Sequence, residues 1–144
     1  MIAKIVLNKN SHATDRLFDY RVSDALKNDI CVGMRVNVPF GRNNKPIEGY
    51  VYELCHSSEY KNLKEITSFI DNFSYFDSTK VEVMEFMRHR YFCSYISAIK
   101  CFVPSGVGTN ITRYYSLAAI DEEFIAEVTK HSVTADKIIN CLKL

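Results

Sequence analysis

Between Gly33 and Pro39 the chain alternates without a break. Met34, Val36 and Val38 are apolar, while Arg35 and Asn37 are polar. A period of two sends the two sets of side chains to opposite faces of an extended strand, so the stretch reads as a half-buried strand closed by turns at both ends. The same signature recurs through the first seventy residues. Ala3–Leu7 is a short, largely aliphatic run. Leu17–Val22 puts Phe18, Tyr20 and Val22 on one face and Leu17, Asp19 and Arg21 on the other. Ile47–Leu54 is a further strand, with Gly49 marking a bulge or a close approach. Leu63–Ile70 alternates less cleanly and reads as a fifth strand. The pieces between, Arg42–Pro46 and His56–Asn62, carry loop residues. Five short strands at this spacing predict a small antiparallel sheet curled into a barrel.

The pattern changes near Asp77. Thr79 and Glu82 have the spacing of a capping box. Val83, Phe86, Met87 and Tyr91 then recur at helical spacing, which predicts an amphipathic helix to about Tyr91. A second short helix is expected from Ser94, ended by Pro104. The small residues of Ser105–Asn110 form the best boundary in the chain. Beyond it, Tyr114–Leu117 reads as a strand, and Asp121–Glu123 opens a helix with acids in its first turn, where the dipole favours them. Ile138, Ile139 and Leu142 mark a last helical piece that meets the C-terminus without a stop signal, so the chain reads as a fragment. The expected class is α+β: a small antiparallel β-barrel-like sheet followed by a helical subdomain.

Composition narrows the function. Of 144 residues, 47% are hydrophobic and 24% charged, which excludes a mainly disordered or low-complexity chain. No apolar run approaches the roughly 18 residues that span a bilayer, and no signal peptide is read at the start. The five cysteines are an odd number without a Cys-x-x-Cys pair, which fits free thiols in a reducing cytosol. There is no phosphate-cradling Gly-x-x-x-x-Gly-Lys-Ser/Thr loop. His12, His56, His89 and His131 are widely spread and match no metal motif. Cys93, among Tyr91, Phe92 and Tyr95, reads as a buried thiol rather than a nucleophile. No catalytic residue, metal site or cofactor is therefore expected in this chain. The net charge is only +1, but residues 1–50 hold eight Lys/Arg against five Asp/Glu. That local surplus is a weak pointer to an anionic partner, and from charge alone a mixed solvated surface is the favoured reading.

Four pieces in order carry more. They are Leu17-Phe18-Asp19-Tyr20; Gly33-x-Arg35-Val36-x-Val38-Pro39-Phe40-Gly41-Arg42; Leu63-Lys64; and Arg90-Tyr91-Phe92. With Gly49-Tyr50-Val51 and Val103-Pro104-Ser105-Gly106, their order and spacing resemble the N-terminal DNA-binding domain of the primosomal protein N′ family (PriA), the bacterial replication-restart helicases. The resemblance covers roughly residues 1–106. It implies a 3′-end DNA-binding domain there, its β part about 1–72 and its helical part about 77–103, with residues 107–144 a linker and a partial winged-helix-like segment. The family's ATPase motor and zinc-binding cysteines are not matched, so a chain like this would be a non-enzymatic piece of an ATP-dependent 3′–5′ helicase. It would act in the bacterial cytoplasm at the nucleoid. Other primosome proteins, or single-strand-binding protein, would be met through the full-length chain. No membrane is implied.

By the same resemblance, the domain would hold the 3′ end of the nascent leading strand at a stalled fork, whatever its base, with Phe18, Asp19, Gly41 and Lys64 as the pocket. The residue chemistry suits it. A carboxylate only accepts, so Asp19 can take the proton of a free 3′-hydroxyl and would repel a 3′-phosphate. Phe18 offers a stacking face tolerant of sequence. Gly41 lets main chain approach a nucleotide, and Lys64 offers a point charge to a phosphate. Arg16, Arg42 and Lys45 could extend a phosphate track. By pattern alone the same residues have plainer readings: Phe18 and Tyr20 as core, Asp19 as partner to Arg21 or Arg35, Pro39–Gly41 as a turn, Lys64 as a solvated lysine. Family members often carry prolines ahead of the Phe-Asp-Tyr strand. Here that stretch is Asn8–Arg16, so a differently shaped loop is expected, with Asp15 an acid near the pocket. The rival reading is a protein-interaction module presenting Tyr50, Tyr52, Tyr91 and Tyr95 to another replication protein or to the rest of its own chain.

Overall fold

The computed structural model describes residues 1–108, together with Lys130, Thr134, Lys137 and Ile138. By their contacts the residues fall into two units, Met1–Thr109 and Asn110–Leu144. The strand expected at Tyr114–Leu117, the helix from Asp121 and the Ile138–Leu142 piece lie, apart from Ile138, outside the described residues.

The first unit is a five-stranded antiparallel sheet followed by two helices. Strands β1 (Ile2–Leu7), β2 (Phe18–Arg21), β3 (Met34–Phe40), β4 (Lys45–Cys55) and β5 (Ser68–Ser74) run in the spatial order β2-β1-β4-β3-β5. Helices α1 (Ser78–Tyr91) and α2 (Tyr95–Lys100) come after them. The alternation divides the sheet as expected. Ala3, Ile5, Leu7, Tyr20, Met34, Val36, Val38 and Val51 fill one core, with Ile30 and Ile66 from the connecting segments. Val6, Tyr50 and Tyr52, on the other face, join Phe76, Met84, Ile96, Ala98 and Ile99 in a second. β1 is buried on both faces for this reason. Tyr50 and Tyr52 are therefore core, not part of an aromatic docking surface.

Gly49 sits where β4 passes between β1 and β3, opposite Leu7 and Val36. A Cβ there would lie 2.5 Å from Ile5 Cγ2, so the close approach is the correct half of its sequence reading. The bulge lies elsewhere: the β1–β4 register shifts between Lys4 and Ile5, opposite Glu53 and Val51.

The sheet does not close into a barrel, and the fifth strand begins later than Leu63. The reason is a crossing of main chain. Arg21 N–H donates to Lys64 O at 2.8 Å, and Ile66 N–H donates to Arg21 O at 3.1 Å. Thr67 N–H then donates to Asn37 O at 2.9 Å. Residues Lys64–Thr67 thus leave the free edge of β2, through a single parallel bridge at Arg21–Glu65, and reach β3, where β5 starts. The alternation read as strand from Leu63 is spent first on this crossing, with Ile66 buried under it.

Helix α1 is capped differently from the prediction, while α2 starts from Ser94 as expected. Asp77, not Thr79, is the N-cap of α1; its carboxylate accepts from Lys80 N–H at 3.0 Å. Ser94 caps α2. The apolar stripe Val83–Phe86–Tyr91 does not face the sheet: those three residues are exposed, and Met84 is the buried one. Beside Met84, α1 turns polar side chains inward. Glu85 accepts from the Tyr52 hydroxyl at 3.1 Å and pairs with Arg88, whose guanidinium lies over the Tyr95 ring. The two charges offset each other, so the helix can turn them partly inward, although Arg88 Nε is left buried without a hydrogen-bond partner among the described residues.

One buried cation organises the far end of the same face. Arg35 makes two bonds to Asp71, at 2.6 and 3.0 Å, and one to Glu48 at 3.1 Å. The Tyr75 hydroxyl donates to Asp71 at 2.9 Å. These bonds, Arg35's foremost, hold the Asp71 carboxyl below its usual value of 3.8. Stability from this pair is therefore complete above that value and is lost as pH falls through the depressed one. Asp71→Asn should lower unfolding stability at pH 7 by about 2 kcal/mol, less than a fully enclosed pair because Asp71 keeps contact with water. Urea titrations at falling pH should show the gap between wild type and variant narrowing below about pH 4.

Candidate nucleotide pocket

The crossing of Lys64–Thr67 leaves a gap. At Arg21–Glu65 the two segments pair. Upstream they separate, and a cleft of about 490 Å³ opens between β2 and Tyr60–Lys64. Arg16, Phe18, Asp19 and Tyr20 line one side; Tyr60, Asn62, Leu63 and Lys64 line the other; Pro39–Arg42 of the β3–β4 hairpin close the end. Residues from both faces of β2 line it, so the cleft lies along the strand's open edge. Main-chain groups two residues apart in a strand point the same way. Since Arg21 N–H and C=O reach the crossing segment on that edge, the N–H and C=O of Asp19 point to the same side.

Phe18, Asp19, Gly41 and Lys64 are thus brought to one cleft, with Arg16 and Arg42. Lys45 lies apart, in an adjoining cleft. Phe18 meets Phe40 edge to face, ring centres 5.4 Å apart, and the Arg16 guanidinium stands 4.8 Å above the Phe18 ring. Tyr20 is core, its hydroxyl donating to Pro39 O at 3.2 Å; burial pushes that hydroxyl up to about 12. Asp19 pairs with neither Arg21 nor Arg35. Arg21 pairs with Glu65, and Arg35 with Asp71 and Glu48. One oxygen of Asp19 instead accepts from the Ser58 hydroxyl. Ser58 Oγ itself accepts from Tyr60 N–H at 3.1 Å, which turns its proton toward the carboxylate. The other Asp19 oxygen is in no described hydrogen bond.

Gly41 has φ +72°, the left-handed region, and nothing lies within 4 Å of where its Cβ would be. Glycine is there for the turn, and the bare position leaves the cleft mouth open. Lys64 is exposed but not merely solvated: its ammonium donates to Gly41 O at 2.7 Å, tying the crossing segment to the hairpin. Two N–H donors remain on it. Three cations, Arg16, Arg42 and Lys64, thus surround one carboxylate over an apolar floor.

Asp15 is not at this cleft. Its carboxylate accepts from Tyr95 N–H at 2.8 Å, docking the leading loop on α2. Ser58 and Tyr60, by contrast, belong to the site and were invisible in sequence. They lie in a stretch of loop composition with no periodicity; Tyr60, 66% exposed in a loop, was the one available hint.

Set beside known proteins, residues 4–104 match the family model described as the 3′DNA-binding domain (3′BD) of PriA. Over 118 residues the chain is 25% identical to the "Replication restart protein PriA" of Bacillus subtilis (strain 168). That match covers 81% of this chain and 14% of the relative, so the chain spans about one-seventh of the relative's length.

Lys64→Ala should release the hairpin from the crossing segment. Amide exchange at Asn44, whose N–H bonds weakly to Gly41 O, should quicken several-fold, while global stability falls by under about 1 kcal/mol because the lysine is exposed. Hydrogen exchange read by NMR, beside a urea melt, checks both.

Proposed function

The chain belongs to the PriA 3′DNA-binding-domain family, and from that membership we propose that its cleft holds the terminal nucleotide of a 3′-ended strand at a branched replication fork. The observation that carries this reading is a half-buried carboxylate, with one oxygen held by Ser58 and the other open, in a cation-lined cleft floored by aromatic rings. The open oxygen of Asp19 accepts the proton of a free 3′-hydroxyl. A 3′-phosphate would set anion against anion. Phe18, with Phe40 behind it, gives the base or sugar an apolar face that any base can use. Outward-pointing main-chain groups of Asp19, and the bare Gly41, read the nucleotide by shape rather than by base edge. Lys64, Arg42, Arg16 and Lys45 serve phosphates.

In this reading the domain finds the end of the nascent leading strand for a replication-restart helicase. ATP hydrolysis and unwinding lie outside these residues. Contacts with other primosome proteins or with single-strand-binding protein belong to the rest of such a protein, which works at the bacterial chromosome in the cytoplasm.

Fork binding should be weaker by at least about fivefold when the leading-strand end carries a 3′-phosphate, the low end of the ~1–4 kcal/mol between unit charges 4 Å apart. Equal affinity for the two ends would reject the role of Asp19. Asp19→Ala should weaken binding to the free 3′-hydroxyl about tenfold, the size of one charge-assisted hydrogen bond, while the chain still unfolds cooperatively with its midpoint lowered only by the loss of the Ser58 bond. Changing the terminal base should alter affinity by no more than about threefold.

A further inference from the structure

Two more clefts flank the candidate pocket, and they differ in charge. One, about 530 Å³, is lined by Lys4, Leu17, Asp19, Ser57, Ser58, Glu59 and Tyr60. Its single cation, Lys4, is already paired with Glu53 at 2.9 Å, and it contains two carboxylates. The other, about 600 Å³, lies on the outside of the β3–β4 hairpin. Lys9, Arg42 and Lys45 line it, with Phe40, Pro46 and Ile47 as apolar surface and no carboxylate among the described residues. None of those three cations is ion-paired to a described residue. This cleft shares Phe40, Gly41 and Arg42 with the candidate pocket, so the two are continuous over the hairpin.

Nucleotide geometry chooses between them. The 3′-oxygen and the 5′-phosphate leave opposite sides of the sugar. A nucleotide with its 3′-hydroxyl on Asp19 must direct its 5′-phosphate away from Asp19. The first flanking cleft contains Asp19 itself; the second begins at Gly41 and Arg42. We propose that the strand leaves the terminal pocket across the hairpin tip, and that Lys9, Arg42 and Lys45 form a second subsite for the phosphodiesters of the preceding nucleotides. This deepens the terminal-nucleotide reading and rests on it. Lys9 stands at the end of β1, far in sequence from the hairpin, and enters the strand path only through the fold. The apolar wall of Phe40 and Pro46 offers the penultimate base a surface without base-specific donors.

The test compares oligodeoxythymidylates of two and six residues, each with a free 3′-hydroxyl, by titration calorimetry on the full chain. In wild type the hexamer should bind more tightly than the dimer. Lys9→Ala and Lys45→Ala replace exposed side chains without described structural bonds, so both variants should keep the wild-type melting curve. At 0.1 M salt each should cut the hexamer-to-dimer affinity ratio about fivefold, from a single-strand slope of ~0.7 per phosphate contact over a decade of salt. The double variant should lower the hexamer's salt slope by about 1.4. An unchanged ratio, or a ratio cut instead by Lys4→Ala, overturns the exit path. A wild-type dimer that binds equally with a 3′-phosphate overturns the terminal pocket instead, so the two failures are told apart.

Discussion

Four residues of main chain, Lys64–Thr67, tie the edge strand β2 to β3 at the point where β5 begins. The bonds are ordinary amide–carbonyl pairs, each worth about 1 kcal/mol net. Their position matters more than their strength. By joining β2 to the crossing segment at Arg21 and the crossing segment to β3 at Asn37, they bend an open five-stranded sheet around the core of Ile5, Val36, Val38 and Ile66. A fully closed barrel would leave no strand edge exposed. Here closure stops after one bridge, and the unpaired length of β2 beyond it becomes a wall of the cleft.

The electrostatics follow from which acids are already engaged. Glu48 and Asp71 are held by Arg35, Glu53 by Lys4, Glu65 by Arg21, Glu85 by Arg88, and Asp15 by a helix amide. Arg16, Arg42, Lys9 and Lys45 have no such partner among the described residues. A chain with a net charge of +1 therefore presents a locally cationic rim around the hairpin. Counting charges along the sequence found the surplus in the first fifty residues but not its concentration, because pairing is settled by the sheet register.

The strands were legible because alternation is a direct imprint of burial. Phe18–Arg21, Met34–Phe40 and Lys45–Cys55 all contain the predicted stretches or lie within them. The fifth strand was misplaced because Leu63–Thr67 alternates in order to cross, not to pair along its length. Helix α1 was found, but its orientation was read the wrong way round. Periodicity assumes that apolar residues face inward; Glu85 and Arg88 break that rule by neutralising each other against Tyr52 and Tyr95, which leaves Val83, Phe86 and Tyr91 outside. In the candidate site, Phe18, Asp19, Gly41 and Lys64 were named through ordered motifs rather than through pattern. What the motifs could not supply was the Ser58 hydroxyl behind Asp19, the Lys64–Gly41 tether, or the place of Lys9. All three depend on loops brought together across the sheet.

Part of the cleft is main chain: the margin of β2 that faces away from β1, and the Gly41 carbonyl held by Lys64. That margin is defined by how the strands are laid, and the side chains of Phe18, Phe40 and Tyr60 complete the wall. Sequence drift then has wide latitude so long as a few short or flat residues stay in place. A cleft laid out partly by main chain depends less on side-chain identity than one built from side chains alone, and this chain differs from its Bacillus relative at three of every four aligned positions.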